Sequence, residues 1–253
     1  MDGMTGLLEA PTLQEKTYER LRKMIVSGEM PAGSRVKESD LARKFGASRV
    51  PIRESLIRLK SEGLVVSKPR YGYMVKKYSA KDIIELYNVR EVIEGLAVRL
   101  AAEQATDVQI AECEKINHQY GIVLEKQCAM SDDKLEEKIE LQNQMALLDE
   151  RFHRSLLHLS GSSRIEGLFS LLHDERICLA LASLKDNPYV INESLYKLTV
   201  QAHYNVLLAI KCHDADSAEM EMRKHIKAAL KRFMENYENT KQSIFLGGID
   251  HAK

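Results

Sequence analysis

The spacing of apolar residues changes character near Ser79, and that change restricts the folds open to this chain more than any other feature. Before it, apolar runs are short and broken by turns. Tyr18, Leu21 and Ile25 fall three and four residues apart, which predicts an amphipathic first helix with Thr12 as its cap and Gly28 just past its end. Met30-Pro31-Ala32-Gly33 reads as a turn, and Glu38 to Lys44 then carries Leu41 and Phe45 inward as a short second helix closed by Gly46. Ser48 is placed to cap a third helix from Arg49 to about Glu62, with Ile52, Leu56 and Leu59 as its buried stripe. Pro51 is tolerated there because the amides of a first turn have no intrahelical acceptor. Leu64-Val65-Val66 and Tyr73-Met74-Val75 flank Lys68-Pro69-Arg70-Tyr71-Gly72, the pattern of a small β-hairpin. Three short helices followed by a hairpin describe a winged helix-turn-helix.

From Ser79 onward the period is that of long helices with few Gly or Pro, opened by the capping signal Ser79-x-x-Asp82. Ile83, Tyr87, Arg90, Glu94, Ala97 and Ala101 share one face of the first of these. Further helices are predicted over about Asp107 to Met130, with Gly121 as a candidate break, and about Lys134 to Leu159, after the acidic interruption Ser131-Asp132-Asp133. Others run from about Arg164 to Leu184, from about Glu193 to Lys211 after Asn187-Pro188, and from Asp216 to Tyr237. The expected fold is therefore mainly α. Residues 1–78 form a winged helix-turn-helix with a hairpin wing, 79–239 an all-α bundle, and 240–253 a loose tail without period.

At 253 residues, 44% apolar and 29% charged, the chain has ample material for cores and is not a disordered polymer. Its longest apolar run, Ile177 to Leu184, is far shorter than the ~20 residues a membrane span needs. The N-terminus, with acidic Asp2 and Glu9, does not resemble a secretory leader. Cys113, Cys128, Cys178 and Cys212 are scattered without a C-x-x-C pair, which reads as reduced thiols in a cytoplasmic protein. The formal net charge of zero hides an opposition: residues 1–78 hold sixteen Lys or Arg against nine acids, a net +7, and the remainder carries −7. Such asymmetry points the first segment at a polyanion.

The second helix of a helix-turn-helix lays its N-terminal residues in the major groove, where polar and basic side chains meet base edges. Ser48-Arg49-Val50-Pro51-Ile52-Arg53 fits that position, and an arginine fork there can take guanine N7 and O6 together. The surrounding residues are Glu38-Ser39-Asp40-Leu41-Ala42, then Phe45-Gly46-Ala47-Ser48-Arg49-Val50-Pro51-Ile52-Arg53-Glu54-Ser55-Leu56, then Glu62-Gly63-Leu64-Val65. They resemble the DNA-binding domain of the GntR family of bacterial transcription regulators, over about residues 12 to 76. The resemblance implies that Arg49 and Arg53, with Ser48, Val50 and Pro51 around them, contact DNA. It also implies a wing, here Arg70 and Gly72, that enters the minor groove. Family members often carry Arg-Gly in the wing turn, whereas here Tyr71 precedes Gly72 and the arginine is displaced to position 70.

Asp149 and His153 lie four apart on one helical face, and His203 and His225 lie on two later helices. Three imidazoles and a carboxylate suit a divalent ion such as zinc, nickel or manganese. Asp149-Glu150-Arg151-Phe152-His153 is similar to the D-x-x-F-H element of the FadR-type C-terminal (FCD) domain of one GntR subfamily. Ala202-His203-Tyr204-Asn205-Val206-Leu207 and His225-Ile226 resemble its later elements, and Tyr87, Arg90 and Glu94 its opening helix. The resemblance implies that Asp149, His153, His203 and His225 hold the metal. Arg90 then reads equally as an effector-carboxylate ligand or as a buried partner of Glu94. The expected function is a ligand-responsive regulator, most often a repressor in this family. It would bind a pseudo-palindromic double-stranded operator as a homodimer and sense a small organic acid at the metal site, without a membrane. Two alternatives stand beside it: a metal-dependent hydrolase, and a DNA-binding protein with a purely structural metal.

Overall fold

Helix α1 (Leu13–Val26) forms where the sequence places it, with Thr12 capping it through its side-chain oxygen to the Glu15 amide at 3.1 Å. It packs on α3 (Arg49–Ser61), and α2 (Glu38–Phe45) lies against α3 as well. Leu21, Ile52, Leu56 and Leu59 are fully buried between these helices. Truncating any one of them to Ala would cost about 2–5 kcal/mol. The wing is larger than a hairpin. Strand β1 (Arg35–Val36) pairs with β3 (Gly72–Val75), and β3 pairs with β2 (Val65–Lys68), giving an antiparallel sheet in the order β1-β3-β2. Val65 faces Val75 and Arg35 faces Met74 across the two ladders. A strand of two residues is too short to show alternation, so β1 leaves no sequence signal.

The computed structural model describes residues 12–26, 28–131, 133–172 and 193–247. The chain divides into two compact units, Met1–Lys77 and Tyr78–Lys253. In the second, α4 (Ala80–Gln104) starts at a full capping box: Ser79 Oγ accepts from the Asp82 amide, and the Asp82 carboxylate accepts from the Ser79 amide. A second box, Thr106 with Gln109, starts α5 (Asp107–Cys128), which runs through Gly121 without a break. Then come α6 (Leu135–Leu159), α7 (163–172), α8 (Glu193–Lys211) and α9 (Ala215–Gly247). The expected stretch of helix up to Leu184, the Asn187-Pro188 break and Cys178 lie outside the described residues, as do residues 248–253. The loose tail expected from residue 240 is corrected as far as Gly247, which α9 reaches. Thr240 to Leu246 contains no Gly or Pro, so the backbone ladder continues after the amphipathic period has faded.

The core of the second unit is built from Val98, Ala101, Ile110, Phe152, Leu156 and Ile210, with partners on α9. Its helices approach closely where side chains are small: a Cβ on Gly95 of α4 would stand 3.2 Å from Arg223 Cγ of α9. Among the described residues no helix is long and apolar enough to cross a membrane.

Candidate functional site

The first face of interest is the start of α3. Arg49 and Val50 are its first two residues and both are exposed, Val50 at 63%. Arg53, one turn on, has a side chain 64% exposed and pairs with Glu38 of α2 at 3.3 Å. Exposed ion pairs of this kind are worth little, so the guanidinium is readily exchanged to another acceptor. Ser48 adopts the extended N-cap backbone, but its hydroxyl makes no capping bond, contrary to the cap expected from the sequence. The Pro51 carbonyl accepts from Ser55 Oγ at 2.7 Å, which ties the first turn to the next.

In the wing, the Tyr71 amide donates to the Lys68 carbonyl at 3.1 Å and closes the β2–β3 turn. Arg70 sits in the left-handed region at φ 67°, and Gly72 follows at φ 81°. A left-handed arginine is unusual, and here it places the basic side chain at the tip of the turn that the family pattern would give to its neighbour. Arg35, not singled out from sequence, steadies this tip from β1: its Nε donates to the Tyr71 carbonyl at 2.9 Å and its guanidinium lies 5.6 Å from the Tyr71 ring centre. The two residues are 36 positions apart, so no local spacing could have signalled the contact.

The second site lies inside the bundle. Asp149 and His153 of α6, His203 of α8 and His225 of α9 offer ligand atoms that all lie within 4.8 Å of one another. The three histidines are buried, whereas the Asp149 side chain is 27% exposed and marks the open side of the cluster. His225 Nε2 stands 3.2 Å from His153 Nε2, and Asp149 Oδ1 stands 3.5 Å from His203 Nε2 and 3.8 Å from His153 Nε2. Two donors each about 2.0–2.1 Å from one ion, at tetrahedral or cis-octahedral angles, stand roughly 2.8–3.4 Å apart, so the closest of these spacings suits a shared ion and the others need only small adjustments. His203 Nε2 is buried without a hydrogen-bond partner. An orphaned buried nitrogen facing a carboxylate and two imidazoles fits a cation, which would otherwise have to be replaced by a costly unpaired group. Burial pushes the His203 imidazole below its ordinary pKa, with Asp149 opposing, and pushes His225 well below it, aided by His203 and His153. Both are held neutral at physiological pH, the form that binds metal.

Behind these donors stands a second ring of contacts. Glu94 of α4 takes the His153 Nδ1 hydrogen with one oxygen and Arg90 Nε with the other, the latter at 2.7 Å. Arg90 is only 3% exposed and Glu94 not at all. Burial works against the charge on Arg90, but Glu94, Tyr87 and Asp149 outweigh it and hold the guanidinium above its ordinary pKa. The Arg90 guanidinium also lies 4.8 Å from the Tyr87 ring centre. Of the two roles open to Arg90, the ion pair with Glu94 is formed. Phe152 stacks on His203 with ring centres 3.9 Å apart, and Asn117 of α5 meets His203 Nδ1 at 3.1 Å. Asn117 carries no pattern in the sequence that marks it. The residues that could hold a metal ion therefore come from α6, α8 and α9, with α4 and α5 supporting them.

Comparison with known proteins agrees with this division. Residues 13–75 match the family model described as bacterial regulatory proteins, gntR family, and residues 85–228 match the FCD domain. The HTH-type transcriptional regulator YdhC of Bacillus subtilis is 31% identical over 157 residues, covering 62% of this chain and 65% of that protein. The HTH-type transcriptional repressor RspR of Escherichia coli is 25% identical and a probable D-xylose utilization operon transcriptional repressor of Paenarthrobacter nicotinovorans is 24% identical. These two matches cover 88% and 91% of this chain and 90% and 92% of the relatives. Among solved structures, E. coli McbR/YncC superposes with a TM-score of 0.67 at 19% identity, over 89% of this chain and 99% of that one. A GntR transcriptional regulator from Rhodococcus sp. RHA1 also gives 0.67, at 20% identity, over 88% and 97%. Matches of both units to regulator domains define a DNA-binding transcription regulator and not an enzyme. The chain belongs to the GntR family of bacterial regulatory proteins, in the branch that carries an FCD domain.

Proposed function

We propose that this regulator is a repressor that binds a pseudo-palindromic operator as a homodimer and responds to a small organic acid at a divalent metal held by Asp149, His153, His203 and His225. The observation that carries the reading is the buried three-histidine cluster with one partly exposed carboxylate. Three imidazoles supply firm ligands, and the open side beside Asp149 leaves coordination positions for water or for the oxygens of an acid. The ion, when bound, supplies the positive charge that draws such an acid. Zinc, nickel and manganese all suit the donor set. Arg90, buried and sensing Asp149, adds to the positive field on that side while its Nε stays on Glu94.

At the operator, Arg49 and Arg53 read base edges, with Ser48, Val50 and Pro51 filling the helix start, and Arg70 with Gly72 forms the wing contact. Two half-sites are needed because one short helix meets few base pairs. The reading is tested by fluorescence anisotropy on operator DNA, titrated with a panel of central-metabolism acids before and after chelation. Release by one acid from metal-loaded protein only is expected. Equal release from chelated protein would make the ion a structural staple, and elemental analysis without a bound metal would remove the site.

A further inference from the structure

The three imidazoles at the centre are backed in three different ways. His153 Nδ1 faces a carboxylate, that of Glu94. His203 Nδ1 faces an amide, with Asn117 Oδ1 at 3.1 Å. His225 Nδ1 is buried with no hydrogen-bond partner among the described residues. The amide is the informative case, because its other end fixes which atom faces the ring. Asn117 Nδ2 lies 3.2 Å from the Val200 carbonyl. A carbonyl only accepts, so the NH2 group must face Val200 and the amide oxygen must face His203. Turning the amide over would set two carbonyl oxygens against each other. The amide oxygen also only accepts, so His203 Nδ1 carries the proton. In a neutral imidazole the other nitrogen is then the acceptor, which leaves an unprotonated Nε2 3.5 Å from Asp149 Oδ1, buried and without a hydrogen-bond partner.

Packing alone does not make this choice. Phe152 stacks on the His203 ring and Tyr120 meets it edge-on at 6.1 Å, contacts that fix the plane of the ring but are indifferent to which nitrogen is protonated. We propose that Asn117 is a positioning residue of the metal centre: it locks His203 as the Nδ1–H tautomer and so keeps an unprotonated Nε2 turned toward the ion. Its consequence for metal rests on the function proposed above, whereas the tautomer itself is a property of the metal-free protein. Asn117 bonds both Val200 and His203, three residues apart on α8, so a single amide sets the register of that helix against α5 and the proton on its ligand.

The experiment uses the full chain and two variants. Asn117→Asp keeps an oxygen acceptor toward His203 while setting its second oxygen against the Val200 carbonyl, and Asn117→Leu is near-isosteric and makes neither contact. Long-range 15N–1H correlation of the metal-free protein reports the tautomer. The Nδ1–H form is expected in wild type and Asn117→Asp, and a population of Nε2–H is expected in Asn117→Leu. Competition of zinc against a chromophoric chelator should show a loss of about 10- to 100-fold in affinity for Asn117→Leu and retention in Asn117→Asp. An Nε2–H tautomer in wild type overturns the proposal even if the Leu variant does not fold. So does a Leu variant with wild-type tautomer and zinc affinity while wild type binds zinc. If wild type binds no zinc, the metal reading itself fails, and the role of Asn117 toward it fails with it.

Discussion

Replacing Glu94 by Ala strips two buried groups of their partner at once. Arg90, 3% exposed, loses the carboxylate that meets its Nε at 2.7 Å, and the His153 Nδ1 hydrogen loses its acceptor. Removing one member of a buried ion pair leaves an uncompensated charge and costs about 3–5 kcal/mol. The unsatisfied imidazole N–H pushes the value toward the upper end. For a unit of this size each kcal/mol moves the melting temperature by about 2–4 °C, so metal-free Glu94→Ala is expected to melt roughly 6–20 °C below wild type. The double variant Arg90→Met, Glu94→Leu fills the same volume without charge and should recover most of that loss, because apolar replacements of buried pairs are often neutral or better. It should not recover zinc affinity, since His153 still lacks the acceptor that orients it. Calorimetric melts and chelator competition on the same three proteins separate the two effects. A single variant within a degree of wild type, or a double variant no more stable than the single, would refute the argument that Glu94 acts as the counter-ion of Arg90.

Arg49→Ala and Arg53→Ala should each weaken operator binding by roughly 1–3 kcal/mol without changing the melting temperature, and wild-type anisotropy curves for both would reject their placement as base readers. Operator affinity should fall steeply with salt, by about 0.9 in the log–log slope per phosphate neutralised, and a flat response would contradict the reading of the +7 segment. Ser79→Ala removes the acceptor of the Asp82 amide at the start of α4 and should cost about 1 kcal/mol, measured by denaturant unfolding. His203 and His225 are held below the ordinary imidazole pKa of 6.5 in the folded metal-free protein. The unfolded chain therefore takes up more protons as the pH falls below that value, and stability, full above it, declines toward acid; melts that do not change between neutral and mildly acid buffer would count against it.

What the sequence made legible follows from range. The helices of the first unit rest on contacts three and four residues apart, and so Tyr18, Leu21 and Ile25 announced α1 and Ile52, Leu56 and Leu59 announced the buried side of α3. Asp149 and His153 likewise share a face by spacing, but His203 and His225 joined them only through likeness to a family. The contacts that left no trace are the long ones: Arg35 on Tyr71, β1 on β3, and Asn117 on His203, which are separated by 36, about 38 and 86 positions. Each uses an ordinary residue in an ordinary local setting, and its meaning lies wholly in the partner that tertiary structure brings. The end of α9 shows the reverse: the apolar period fades before residue 240, yet nothing in Thr240 to Leu246 breaks the backbone ladder and the helix continues to Gly247.

The way the cluster is backed also decides what a ligand there can move. An ion held there would join donors from α6, α8 and α9, and Glu94 and Asn117 extend the same connected set to α4 and α5, so every long helix described in the second unit except α7 bears on the cluster. Binding of the ion to the folded state alone stabilises that arrangement by mass action, about 2.7 kcal/mol when the free ion stands at a hundred times its dissociation constant. An acid that displaces water from the ion changes operator affinity only by as much as it distinguishes the DNA-free from the DNA-bound arrangement, typically ~1–3 kcal/mol or 5- to 150-fold. Of the helices in the set, α4 is the one whose N-terminus follows the wing in the chain, with only residues 76–79 between Val75 of β3 and Ala80. Its link to such an ion would be the Glu94–His153 contact, and Glu94 is also the counter-ion of buried Arg90. Weakening that contact should therefore weaken the acid's effect on DNA more than its binding, whereas weakening Asn117–His203 on α5 and α8 should reduce both together.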